Sequence, residues 1–444
     1  MEGLGIVRTQ IRKRLLIPCV TLALTMLVVG LIGQGIADVA AQAGQTRSLD
    51  RDLEPVVVKG SQVPALDGAP LGQLFVYRYS GNTLNGPIPA QVDEVTSGGD
   101  YTASEDGLLD ANDEIVFMAK DTGDQPSDTS GLGSFTTWYE IEVVDPLNPA
   151  HKGWAYLVRR SPTSVGGNYV DYNTSTWRIT TTPNNYELGF ATTGHIGFDN
   201  LTLNGSGTDI LDRTKLRVTR PSFPTVNENA WGAPEPIEVI DGRVRVIVQR
   251  GAGFGLVDLT TTYLAYSSMV QSFAEVNSSV SVSKVRTSVD LNVNVSGATF
   301  YNANTPGGVT INGSPDSVAA TPFSNWTQVS HTSGRLVQVG DPAPAGGTPK
   351  NYYCDDTTST EECDATGKTG DNVSYGDSGT MLEGSVNRTF TIFSSLYVLP
   401  PAGGGQDKVG ATYEEYFFHP LQVAAYLEGE RSRIFLPIIL KNRP

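Results

Sequence analysis

Leu256 to Ser296 reads LVDLTTTYLAYSSMVQSFAEVNSSVSVSKVRTSVDLNVNVS, 41 residues without a glycine or a proline. Nothing in it forbids a long helix. It is nonetheless rich in Val, Ser and Thr, and Val289, Leu291, Val293 and Val295 alternate with Asp290, Asn292 and Asn294. On a helix that alternation would scatter apolar groups around the axis, whereas on a strand it gathers them on one face. The stretch therefore predicts strand. Val280 and Val282 fall on even numbers, while Val285 and the apolar residues from Val289 onward fall on odd ones. The inward face thus changes parity near Lys284, which requires a bulge or a strand boundary there.

The same period of two recurs outward from this stretch. Phe75, Tyr77 and Tyr79 share one face of 74–79, and in 243–248 the valines take one face and Arg243 and Arg245 the other, so both read as half-buried strands. Short strands separated by Gly, Pro, Asn and Asp clusters continue from about 55 to 428, with turn signals at Gly98-Gly99, Asp241-Gly242, Gly307-Gly308 and Asn312-Gly313. That spacing predicts an all-β protein of antiparallel sandwiches, and no fixed repeat period points to a propeller or solenoid. Pro146, Pro149 and the Ser161 to Gly167 run suggest a break, placing a smaller sandwich over 44–160 and a larger one over 161–430. Within the larger one, 340–380 reads as a long excursion with few apolar residues, so it needs a disulfide, a metal ion or a partner to hold it.

Of 444 residues, 39% are hydrophobic and 18% charged, which excludes collagen, coiled coil and a fully disordered chain. The formal charge of −16 repels phosphate backbones, so nucleic acid is not an expected partner. Residues 1–43 read as an export signal: Arg8, Arg12, Lys13 and Arg14 are basic, Leu15 to Ile32 is largely apolar, and Ala41-Gln42-Ala43 suits cleavage. The apolar stretch is also long enough for an uncleaved membrane anchor, and either outcome puts the body outside the cytoplasm. Removing 1–43 takes away four basic and two acidic residues and leaves −18, so the acidity belongs to the exported body. Discounting Cys19, the remaining Cys354 and Cys363 are expected to form a disulfide, because a metal pair would need further Cys or His ligands nearby.

Two acidic segments are candidate calcium sites. In Ser104 to Glu114, Gly107 takes the sharp-turn position of a calcium loop, with Asp106, Asp110 and Asp113 at ligand positions, although Thr102 and Ser104 fall where further carboxylates belong. The alternative is an acidic hairpin turn. In the excursion, Asp355, Asp356 and Glu361 stand among eight carboxylates from Asp341 to Asp377 against Lys350 and Lys368, and a bound cation would relieve their repulsion; solvated surface charge is the alternative. Gly376-Asp377-Ser378-Gly379 matches the nucleophile context of trypsin-like proteases, yet none of His151, His195, His331 or His419 has the matching histidine context, so a tight turn is expected. No catalytic constellation emerges. The five tryptophans, Trp138, Trp154, Trp177, Trp231 and Trp326, could stack on sugars but are expected to be mostly buried.

Ile88-Pro89-Ala90-Gln91-Val92-Asp93-Glu94, followed by Asp106-Gly107, Asp110 and Asp113 to Phe117, resembles the sandwich domain that precedes the catalytic domain in secreted exo-acting rhamnogalacturonan lyases. The resemblance covers about 55–120 and implies an extracellular glycan context; that family's catalysis resides in a helical toroid that has no counterpart here. The tail 431–444, with Phe435-Leu436-Pro437 and Lys441-Asn442, is similar to an ending that recurs on exported bacterial proteins, and an edge strand is the alternative. The sequence thus predicts an extracellular or cell-surface protein, non-catalytic and carbohydrate-binding or adhesive, with polysaccharide or cell-envelope components as partners. Its rivals are a glycan-active enzyme, lyase or hydrolase, and an envelope structural component.

Overall fold

A computed structural model describes residues 44–364, 367–402 and 408–428. The expected signal over 1–43 and the tail 431–444 lie outside the described residues. The fold is all-β, as predicted, with neighbouring strands antiparallel. Among the described residues there is one α-helix, Gly410–Phe418.

Five sheets pack as layers. An outer five-stranded sheet (Gln422–Leu427, Trp138–Asp145, Asn148–Arg159, Leu74–Ser80, Thr83–Asn85) covers a four-stranded inner sheet (Pro55–Lys59, Glu114–Met118, Ala90–Val95, Tyr101–Thr102). Val56, Val58, Ile115 and Phe117 meet Ile141, Val143, Leu157 and Val423 between them. The other face of the inner sheet, through Val95, Tyr101, Val116 and Met118, packs on a nine-stranded central sheet at Ile247, Leu264, Tyr266 and Val337. The far face of the central sheet is covered by a five-stranded sheet (Phe223–Asn227, Leu211–Arg220, Val282–Leu291, Ser374–Val386, Gly346–Asp356) and a four-stranded one built from 170–203.

Several expectations change in detail. Gln422–Leu427, expected by its position to belong to the larger sandwich, pairs with Trp138–Asp145 and puts Val423 in one apolar cluster with Ile141, Val143 and Leu157. Leu74–Ser80, expected to be half-buried, is buried on both faces although it lies in the outer sheet: Leu74 and Val76 face the inner sheet, while Phe75, Tyr77 and Tyr79 are covered by Leu132 and Phe135 of a neighbouring loop. The stretch that fixed the fold class forms three strands, Val257–Ala265, Met269–Ser278 and Val282–Leu291. Its parity change is a register shift between Val282 and Lys284 against the neighbouring strand. The last strand ends at Leu291 and not at Val295: the Asn292 side chain accepts from Asn294 N and donates to the Asp209 and Leu211 carbonyls, turning 293–295 into a short 3-10 helix with Val293 exposed.

Candidate ligand-binding cleft

Between the central sheet and the five-stranded sheet the interior is not filled. A cleft of about 150 Å³ opens there, where an ordinary sandwich would interdigitate side chains. By strand alternation Thr214, Thr287 and Thr380 face inward from one sheet and Ser272, Thr327 and Ser394 from the other, and all six are only half-buried despite their mid-strand positions. Leu216, Val289, Leu259 and Leu396 supply apolar wall, and Phe198 and Tyr263, with ring centroids 4.7 Å apart, close one side. Small hydroxyl residues at facing positions leave the gap, since none is long enough to cross the sheet spacing of about 10 Å.

Among the residues lining this cleft none is a carboxylate or a histidine. Lys215 borders it, but its ammonium lies on the opposite face of its sheet, against Asp290 and Glu362. The cleft can offer hydroxyl donors and acceptors and an aromatic wall. Nothing in the sequence signals it, because Thr and Ser alternating with apolar residues look the same whether they face solvent or an unfilled interior.

The residues expected to bind calcium are placed otherwise. Asp106, Asp110 and Asp113 do not converge as a three-ligand cluster. The buried Asp113 carboxylate accepts from Val95 N at 2.9 Å and Asp110 N at 2.7 Å, and Asp106 Oδ1 accepts from Leu108 N. Glu94 closes the loop by accepting from the backbone N–H groups of Glu105, Asp106 and Gly107 at 3.1, 3.0 and 2.7 Å. The neighbouring Asp93 and Glu114 pair at 2.8 and 2.7 Å with Arg245, which lies just before the central-sheet strand Val246–Phe254 and not within a strand as expected, and Lys59 reaches Glu114 at 2.7 Å. Burial would raise the Glu114 carboxyl, but Arg245 and Lys59 hold it down at about 2. Arg245, expected on a solvated face, is therefore the buried cation joining two layers.

The excursion is held by both a disulfide and counter-ions. Cys354 and Cys363 are bonded. Asp355 is buried and accepts from Asn312, Gly313 and Gly376 N–H groups; Asp356 caps the turn at Thr358 and Ser359; Glu361 is exposed. The structure does not bring these three together. Instead Glu362 turns inward to Lys215 at 2.9 Å, Arg217 at 2.9 Å and Arg286, while Asp364 meets Arg286 at 3.1 Å and Lys284 at 3.0 Å. These cations were readable as period-two faces, Arg213, Lys215, Arg217 on one strand and Lys284, Arg286 on the next. Gly376 to Gly379 is not a tight turn: it runs through Ser374–Val386, and a Cβ at Gly379 would lie 2.1 Å from Thr287 O, so close strand approach explains that glycine.

Among the described residues one three-ligand group falls within metal reach, Asp50, Asp145 and His151, which the sequence reading did not single out. Arg51 Nη1 donates to Asp145 at 2.9 Å, so a cation there would face a guanidinium. Trp138, Trp154, Trp231 and Trp326 are buried, as expected, and form no surface platform. Among the described residues no helix is long and apolar enough to cross a membrane.

Fold and cleft define an all-β sandwich protein with a hydroxyl-lined inter-sheet cleft. No protein-family model matches the chain, and no curated protein sequence does. Among solved structures it is similar to an alpha-mannosidase from Enterococcus faecalis V583, with 9% identity and a TM-score of 0.46 over 86% of this chain and 45% of that one. The chain thus spans less than half the length of that protein, and at this degree of likeness the comparison carries no inference about activity.

Proposed function

We propose that the chain is an extracellular, non-catalytic carbohydrate-binding or adhesive protein whose inter-sheet cleft takes a neutral, sugar-sized group. The observation that supports this reading is the cleft itself: hydroxyl side chains on both walls, an aromatic side, and no carboxylate or histidine in its lining. Glycoside hydrolysis needs two carboxyl groups flanking the scissile bond. A disulfide in the excursion suits an oxidising compartment. Calcium belongs to this proposal as a condition to be tested.

The test is a glycan array run with and without calcium, followed by an assay of every hit for chain cleavage. Thr287→Phe should fill the cleft and abolish a hit while leaving the melting temperature within about 3 °C, since a filled gap gains contacts as it loses water. Thr287→Val keeps the shape and removes one hydroxyl, for a loss of about fivefold in affinity, the worth of one hydrogen bond. Binding that survives Thr287→Phe would remove the cleft from the proposal, and cleavage of a bound glycan would replace binding with catalysis.

A further inference from the structure

The charge cluster beneath the excursion contains an arrangement that holding a loop does not require. Lys215 and Asp290 sit diagonally on adjacent strands of the five-stranded sheet, where Lys215 is registered with Ser288 and Arg213 with Asp290. Both side chains are fully buried. Asp290 Oδ2 lies 2.5 Å from Lys215 Nζ, the shortest of that ammonium's three carboxylate contacts. Asp377, also fully buried, has its Oδ2 3.6 Å from the same nitrogen, and neither of its oxygens has a hydrogen-bond partner. Carboxylate oxygens without a hydrogen bond at zero exposure cost several kcal/mol each, and the two of Asp377 stand beside an ammonium already paired with Asp290 and Glu362.

We propose that Lys215 and Asp290 are joined by an intramolecular amide bond, formed by the folded protein with Asp377 as proton acceptor. Asp377 takes a proton from the ammonium, and the freed Nζ attacks Cγ of the Asp290 carboxylic acid. The N–C bond forms, the C–Oδ2 bond breaks, and Oδ2 leaves as water. Ammonium, acid and carboxylate become amide, water and a protonated Asp377, so atoms and charge balance without any co-reactant. Asp377 then carries a proton that one of its oxygens can donate, and the remaining Asp290 Oδ1 keeps the hydrogen bond it accepts from Tyr375 N. Burial and the nearby Asp377 push the Asp290 carboxyl well above the ordinary range, which favours the neutral acid that an amine can attack. Burial alone would lower Lys215, but Asp377, Asp290 and Glu362 outweigh it and hold the ammonium above the usual lysine range.

The bond would also fit the charge count. The fully buried cations Lys215, Arg217 and Arg286 face Asp290, Glu228, Glu362 and Asp377. With the amide closed and Asp377 protonated, Arg217 and Arg286 remain against Glu228 and Glu362, each guanidinium hydrogen-bonded to Glu362, and Asp364 at the edge is shared by Arg286 and Lys284.

The experiment is a tryptic peptide map of the full wild-type chain by mass spectrometry, together with its intact mass. The expected result is a branched peptide containing Lys215 and Asp290, lighter than the two linear peptides together by one water, and an intact mass reduced by the same amount beyond the two hydrogens of the disulfide. Recovery of Lys215 and Asp290 in separate unmodified peptides overturns the proposal, even if water is lost elsewhere. Asp377→Asn should yield the linear peptides in a chain that keeps the wild type's β-sheet circular dichroism and cooperative unfolding; a branched peptide in that variant would overturn the role given to Asp377.

Discussion

Breaking the Cys354–Cys363 disulfide, by Cys363→Ser or by reduction, should cost more than a surface loop's worth of stability. The ring it closes has a sequence separation of 9. Loop-closure entropy for about ten residues is about 9 cal/mol/K, or about 2.7 kcal/mol at 25 °C. The described body of roughly 380 residues unfolds with an entropy near 0.8 kcal/mol/K, so this part alone lowers Tm by about 3 °C. The ring matters further because it carries Glu362, whose carboxylate serves Lys215, Arg217 and Arg286. Against the burial that would raise it, Arg286, Lys215 and Arg217 keep that carboxyl below its ordinary range. Glu362→Gln alone leaves buried cations short of charge and should cost about 3–5 kcal/mol. If the disulfide acts by holding Glu362 in place, the double variant costs at least about 1 kcal/mol less than the sum of the single ones. Calorimetry and urea unfolding of the four proteins measure this. Additive losses, or a Cys363→Ser variant with unchanged Tm, would refute the idea that the ring positions the carboxylate.

Three further outcomes follow from the buried charges. Arg245→Met strands Asp93 and Glu114 between two sheets and should cost about 3–5 kcal/mol in urea unfolding; Lys59→Met, which removes a partly exposed partner of Glu114, should cost under about 1 kcal/mol. Glu114 is held at about 2 against an ordinary 4.5, so the unfolded chain binds the proton first and stability falls as pH drops from about 4.5 towards 2. An Arg245→Met protein as pH-sensitive as the wild type in that window would contradict this assignment. His195, pushed down to about 4 by burial and by Arg213, stays neutral when an unfolded imidazole would be protonated. Stability should therefore fall between about pH 6.5 and 4, and His195→Gln should flatten that slope in a series of urea midpoints.

How much of this the sequence carried depends on the range of the interaction involved. The fold class came from 256–296 because strand periodicity is local, and even the bulge near Lys284 was visible as a change of parity. Periodicity failed at Val293 and Val295, where the same alternation continues into a turn capped by Asn292; a side-chain hydrogen bond, with no apolar signature, ended the strand. The acidic excursion was correctly read as unable to hold itself by apolar burial. Its counter-ions were missed because Lys215 and Glu362 are 147 residues apart, and a basic period-two face looks like a solvated one until something acidic covers it. The acidic run at Ser104 to Glu114 was open to a metal-loop reading for the converse reason: spacing shows which carboxylates are near in sequence, while the N–H groups of Glu105, Asp106 and Gly107 that occupy Glu94 become apparent only in three dimensions.

The cleft and the ionic layer lie on opposite faces of the same five-stranded sheet, and this bears on why that sheet stays in place. A sandwich whose facing residues are Thr and Ser forgoes much of the apolar burial, about 25 cal/mol per Å², that usually holds two sheets together. The sheet is held instead at its ends, by the apolar clusters around Val218, Leu382 and Phe390 on one side and Leu211, Leu291 and Phe300 on the other. Between those ends its strands must resist spreading by themselves. Lys215, Asp290 and Asp377 stand at mid-sheet on three consecutive strands, behind the cleft wall formed by Thr214, Thr287 and Thr380. A covalent or ionic tie at that point stiffens the wall without placing any side chain in the cleft. Asp290→Ala should then loosen the cleft more than the fold: amide hydrogen exchange should rise along Leu211–Arg220 and Val282–Leu291, while the outer sheet at Trp138–Asp145 keeps its protection. Uniform loss of protection across all five sheets would show that the cluster supports the whole body and has no special relation to the cleft.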